Sequence, residues 1–239
     1  MKKIIFAITV LLSVLSLAAQ NKVINDPNAE VRPVRDFHAI SVATGIKLLL
    51  TQGTEDKIVV SAEKTAYRDR IKTEIVDGVL KIYYENDHDW FSGDNSNKNL
   101  KVYVSCKTLD ALHASSGARV VVDGTIKSSR LDLSFSSGAG FKGDIAVNDL
   151  TLSQSSGASS EISGTALNVS AASSSGSEIK AFGLHSDHCD AHVSSGGSIQ
   201  VSVDKDLKAH ASSGGHIRYK GNGMISSVST SSGGKVSKE

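Results

Sequence analysis

The chain has 239 residues, with 26 Lys and Arg against 25 Asp and Glu, and only 5% of it is aromatic. So even a balance lacks the positive field that nucleic acid and anionic membrane surfaces select, and it argues against both as partners.

Met1 to Gln20 reads MKKIIFAITVLLSVLSLAAQ: two lysines, an apolar run, then small residues at Ser16, Ala18 and Ala19. This is the pattern of a secretory signal peptide, and its apolar run is too short to span a bilayer. The mature chain is therefore expected outside the cytoplasm, in the periplasm or at the cell surface, with no membrane insertion and no lipidated cysteine after the cleavage site. Removing Lys2 and Lys3 from the 26 basic residues leaves 24 against 25 acidic ones. The remaining chain is long enough for one elongated domain or two abutting subdomains.

Residues 21–34 are polar and unpatterned and read as a flexible leader. Over residues 35–110 strand signals are dense: Phe37 to Val42, Gly45 to Gln52, Lys57 to Ala62, Ile71 to Val76, Val79 to Tyr84 and Leu100 to Cys106. Lys64 to Arg70 suits one helical turn, and Asp77-Gly78 between two apolar runs is a strong hairpin signal. This strand-rich N-terminal subdomain shows no serine-glycine repeat and is expected to cap the first rung of the C-terminal half. Its one long irregular insertion, Asn86 to Lys98, holds the only tryptophan. Asp87, Asp89 and Asp94 offer oxygens, but their spacing does not make an EF-hand. Trp90 and Phe91 are expected either to pack onto the first rung or to form a stacking surface for a sugar or a protein anchor. Recognition is placed at these five residues.

From residue 111 to 239 the chain repeats. Ser-Ser-Gly occurs seven times, ending at Gly117, Gly138, Gly157, Gly176, Gly196, Gly214 and Gly233, spaced 21, 19, 19, 20, 18 and 19 residues apart. Three, five and seven places before the glycine stand inward-phase residues such as Phe135, Leu133 and Leu131, the alternation of a strand with one buried face. Three places after it another apolar residue recurs (Val120, Phe141, Ile179, Ile199, Ile217, Val236), the Gly157 copy being read as shifted by two onto Ile162. A second glycine (Gly124, Gly143, Gly164, Gly183, Gly221, with Asp204 once) suggests two positive-φ corners per repeat. The fold class is all-β: a single-stranded, right-handed parallel β-helix of about seven Ser-Ser-Gly coils.

Continued alternation would point the serine beside each glycine inward and the one before it outward, stacking hydroxyl on hydroxyl. Seven near-equivalent serines without a fixed histidine and acid are structural, so no catalytic residue is assigned. His113, His192 and His210 share one outward position, and the last two fall in adjacent rungs with Asp190 nearby. Stacked imidazoles can bind a transition metal, but the spacing alone supplies no clear third ligand, and no metal or cofactor is assigned. Cys106 and Cys189 both fall on inward phases, four rungs or more apart, and are expected to be free buried thiols. At the far end only Lys235 to Glu239 come after the last turn, so 226–230 is expected to form an open edge capable of weak self-association.

The segments Phe37-His38-Ala39-Ile40-Ser41-Val42, Gly45-Ile46-Lys47-Leu48 and Thr73 to Ile82, preceding serine-glycine coils, resemble the bacterial family of auto-transporter adhesin head (GIN) domains. The resemblance runs from about Arg35 to Val236 and implies a β-helix in secreted proteins with an adhesion-type role. No run of alternating ten-residue strands comes after Gly233, so a translocator barrel within this chain is not expected. Two function classes are compatible with these features. One is a non-catalytic structural or adhesion module binding glycan or a cell-envelope protein. The other is a polysaccharide-active β-helix enzyme, a lyase or glycosidase, which needs paired carboxylates in a cleft walled by long loops. Coils of 18 to 21 residues leave little chain for such walls, and the first class is the expectation.

Overall fold

The computed structural model describes residues 26, 28–85 and 98–239. The signal peptide expected over residues 1–20 and the candidate recognition residues Asp87, Asp89, Trp90, Phe91 and Asp94 lie outside the described residues. In chain order the first elements are β1 (Glu30–Arg32), β2 (Ala39–Val42), β3 (Lys47–Gln52), β4 (Lys57–Ser61), one helical turn α1 (Thr65–Arg68), β5 (Ile71–Val76), β6 (Val79–Tyr84), β7 (Lys101–Cys106) and β8 (Ala111–Ala114). Longer strands come next: β9 (Arg119–Phe135), β10 (Gly140–Gln154), β11 (Ser159–Ser173), β12 (Glu178–Val193) and β13 (Ser198–Ala211), then β14 (His216–Lys220), β15 (Met224–Thr230) and β16 (Lys235–Lys238).

Strands β9 to β13 each pair in parallel with the next, one coil per strand, and build a β-solenoid of about seven turns. Alternation becomes continuous buried rows along the axis. Leu131, Leu150, Val169, Cys189 and Leu207 form one such row. A second row is Val120, Phe141, Ser160, Ile179, Ile199 and Ile217. Ser160 therefore occupies the apolar row itself, and the Gly157 copy is not shifted as its sequence suggested. The hydroxyl is tolerated there because the Gln154 amide, also buried, donates a hydrogen bond to it.

Each Ser-Ser-Gly is a type I′ turn. The second serine has φ between 46° and 51°, the glycine between 69° and 77°, and the first turn closes with Ala118 N–H donating to Ser115 O at 3.0 Å. Left-handed backbone breaks the alternation, so the serine beside the glycine (Ser116, Ser137, Ser156, Ser175, Ser195, Ser213) is exposed, not inward, and the first serine is half-buried. Holding an L-residue there costs about 1–2 kcal/mol. Each corner offsets this by extending the ladder around the bend: Gly117 N–H donates to Ser137 O at 3.0 Å, and Gly138 to Ser156 at 3.0 Å. The second glycines do not form a matching corner, since only Gly124, Gly164 and Gly221 have positive φ, whereas Gly143 and Gly183 lie in ordinary strand beside register shifts.

The N-terminal subdomain contributes rungs of its own, contrary to the absence of a visible repeat. Ala43-Thr44-Gly45-Ile46 makes the same turn, with Thr44 at φ 57° and Gly45 at φ 68°, and Gly45 N–H donates to Ser116 O at 2.9 Å. The arms of this turn, β2 and β3, stack in parallel on β8 and β9. On their other side lie β6 and β7, so the chain lays the second rung first, places another outside it, and returns past it to β8. β6 and β7 are thus the two arms of that outermost rung. Beyond it β4 and β1 extend one face, and β5 the other, in antiparallel pairing. They bury Ile58, Val60 and Ile71 over the end of the core. Asp77-Gly78 is the hairpin turn between β5 and β6, with both residues at positive φ. Within the stretch read as a leader, β1 pairs with β4, and Asp26 accepts hydrogen bonds from Tyr103 Oη at 2.7 Å and Lys101 Nζ at 3.0 Å.

Cys106 and Cys189 are free and buried, and burial pushes both thiols up to about 12. At the other end β15 pairs with β13, and its inward-phase residues Ile225 and Val228 are exposed together with Met224. Ser231 N–H donates to Ala211 O, so alternation turns the amides of Ser227 and Ser229 toward β13 and those of Val228 and Thr230 away from it. Among the described residues no helix is long and apolar enough to cross a membrane.

Candidate functional site

Two residues before the first serine of each turn, one outward position recurs on every coil, and from Ser134 onward it faces a shallow groove running along the solenoid axis. The groove has a volume of about 490 Å³ and spans six coils, from Ser134 to Ser231. Its floor is backbone and the half-buried first serines of the turns, such as Ser155, Ser174 and Ser194; its rim carries Ser153, Ala172, His192, His210 and Ser229. The lining is thus hydroxyls at the rung spacing of about 4.8 Å, interrupted by Ala172 and by two imidazoles.

His192 on β12 and His210 on β13 are register partners, so the parallel ladder stacks their rings, with centroids 4.6 Å apart and planes inclined by 10°. Asp190 precedes His192 by two residues and therefore shares its face; its Oδ1 lies 2.9 Å from His192 Nε2. One ligand atom from each of Asp190, His192 and His210 lies within 4.8 Å of the others. The sequence showed the stacked pair, but the third member is visible only once an i, i+2 carboxylate is seen to fold back onto the ring. His113 shares the outward position but stands between Ser41 and Ser134, away from the pair. A second concavity, lined by Thr165, Leu167, His185, Asp187 and Asp204, is narrower in chemistry: Asp187 is held by Lys205 at 2.8 Å.

A solenoid of short coils with an axial polar groove defines a repeat scaffold that presents one long face. The chain belongs to the family described as "Putative auto-transporter adhesin, head GIN domain", whose profile matches residues 36–223. No curated protein matches it in sequence. Among solved structures it is similar to a "putative adhesin" from Bacteroides fragilis at 18% identity and TM-score 0.78, covering 88% of this chain and 96% of that one. A second "putative adhesin", from Parabacteroides distasonis, is 20% identical with TM-score 0.71, covering 88% and 96%. A "putative lipid binding protein" from the same species is 21% identical with TM-score 0.68, covering 90% and 97%. At these identities the likeness is one of fold.

Proposed function

We propose that the protein is an exported, non-catalytic adhesion-type module of the cell envelope that holds an extended glycan along its serine groove. The observation that carries this reading is the groove itself: hydroxyls and imidazoles from six successive coils face one open channel. A hydroxyl both donates and accepts, so a row of them can meet the hydroxyls of a sugar chain in either polarity. The rung spacing is close to the rise of one sugar ring along an extended polysaccharide. Membership of the adhesin-head family supports the class, and the long export-like N-terminus supports the location.

Binding to a glycan array tests it. Ala172 is exposed at mid-groove, and Ala172→Trp should abolish the signal while leaving the melting temperature unchanged. Release of reducing ends from the bound glycans would instead favour a polysaccharide-active enzyme. Retention of a purified envelope protein with no glycan bound would replace the ligand class. The reading extends to weak self-association through the β15 edge, whose outward amides are those of Val228 and Thr230. Val228→Pro removes one of them and should lower the concentration-dependent rise in light scattering. A wild-type protein that scatters as a monomer at every concentration removes this part.

A further inference from the structure

The geometry points to a borderline divalent transition-metal site, of the Zn²⁺, Cu²⁺ or Ni²⁺ class, formed by Asp190, His192 and His210 in the groove wall. Three features carry it beyond a chance cluster. The donors are two imidazoles and one carboxylate, a set matched to these ions rather than to Ca²⁺ or Mg²⁺, which take oxygen. They are placed by the sheet: the two histidines are cross-strand partners and Asp190 sits at i, i+2 on the same face, so the backbone positions of all three are fixed by the ladder. Asp190 Oδ1 is buried 2.9 Å from His192 Nε2 yet has no hydrogen-bond partner, so a carboxylate oxygen stands unsatisfied against the ring nitrogen where a cation bound by both would satisfy it.

Tetrahedral coordination at about 2.0–2.2 Å needs ligand atoms about 3.3 Å apart. The three atoms lie within 4.8 Å, and the His192 and Asp190 side chains are 54% and 45% exposed. Rotating them inward by the missing distance disturbs no core packing. Three protein ligands leave a fourth position that water or an oxygen of a bound molecule can fill, and His192 and His210 both line the groove. One neighbour opposes the ion: Lys208 is the register partner of Asp190 and two residues before His210 on the same face.

The test uses full-length protein stripped with chelator and titrated with ZnCl₂ alone, by isothermal calorimetry and equilibrium dialysis. The expected result is one ion per chain, with binding weakened at least tenfold in His192→Ala, His210→Ala and Asp190→Asn and unchanged in His113→Ala, which alters an equivalent but isolated position. Lys208→Met should tighten binding, a response that mere folding defects cannot mimic. CaCl₂ in place of ZnCl₂ should give no heat above dilution. Because all these positions are at the surface of the sheet, each variant should keep the wild-type melting temperature. Absence of stoichiometric Zn²⁺ binding, or undiminished binding in the His192→Ala/His210→Ala double variant, overturns the site.

Discussion

Gly164→Ala should destabilise the solenoid by about 3 kcal/mol or more, and more than the same change at any Ser-Ser-Gly corner. Gly164 sits at φ +109°, and a Cβ built there would stand 1.9 Å from the carbonyl oxygen of Ile145 on the neighbouring rung. Positive φ alone costs an L-residue about 1–2 kcal/mol. The clash adds to it, because the atom in the way is backbone in a paired ladder and can only move if two rungs separate. At Gly176 the position is different: φ is +69° but no atom lies within 4 Å of the added Cβ, and Ser175 beside it already holds φ 50°. Gly176→Ala should therefore cost only the conformational part, about 1–2 kcal/mol. Denaturant midpoints of the two variants give the comparison, and equal losses would mean that the close approach at Ile145 is not present in solution.

That ranking reverses the one the sequence alone suggests. Seven recurring glycines draw attention, while Gly164 belongs to a looser second set in which only Gly221, at φ +107°, shares its conformation, Gly124 lying at φ +87° and Gly143 and Gly183 outside positive φ. Repetition identified the turn and its period because a parallel ladder needs the same corner in every coil. It could not identify the corner at Thr44-Gly45, which keeps the two positive φ values and the bond to Ser116 O but not the serines. What that corner shares with the others is backbone geometry, and a threonine there supplies the Oγ1 that accepts from Tyr84 N–H at 2.7 Å. Side-chain direction at the turns was also illegible: alternation is a property of extended backbone, and Ser116 and its equivalents leave it one residue before the glycine. Ser160 misled for a different reason, since a polar residue in an apolar row reads as a shift unless its partner Gln154, six residues away, is known to be inside as well. In the site, the stacked histidines came from equal phase, whereas the placement of Asp190 against them depends on a rotamer that no spacing specifies.

Phe135→Ala should cost about 3–5 kcal/mol, the upper range for a core aromatic, with little change in the shape of the unfolding transition. Positions three before and three after each glycine face one another across the core, and in this coil both are phenylalanine. The rings of Phe135 and Phe141 stack with centroids 5.1 Å apart and planes inclined by 17°, at 1% and 5% exposure. On one side along the axis the equivalent pair is Ala114 and Val120, and on the other Gln154 and Ser160, joined by their own hydrogen bond. Neither neighbour can reach into the space a deleted ring leaves. Ala114 is too small, and Gln154 would have to abandon Ser160 and strand a buried hydroxyl. The backbone cannot close the gap either, because Phe135 pairs with Ala114 on β8 and with Gln154 on β10. A cavity that neither side chains nor rungs can fill keeps its full penalty, so equilibrium unfolding should place Phe135→Ala well below Leu152→Ala, whose loss carries no stacked partner. A loss at Phe135 no larger than at Leu152 would show that the coils can slide together along the axis, and that the ladder is softer than its hydrogen bonds imply.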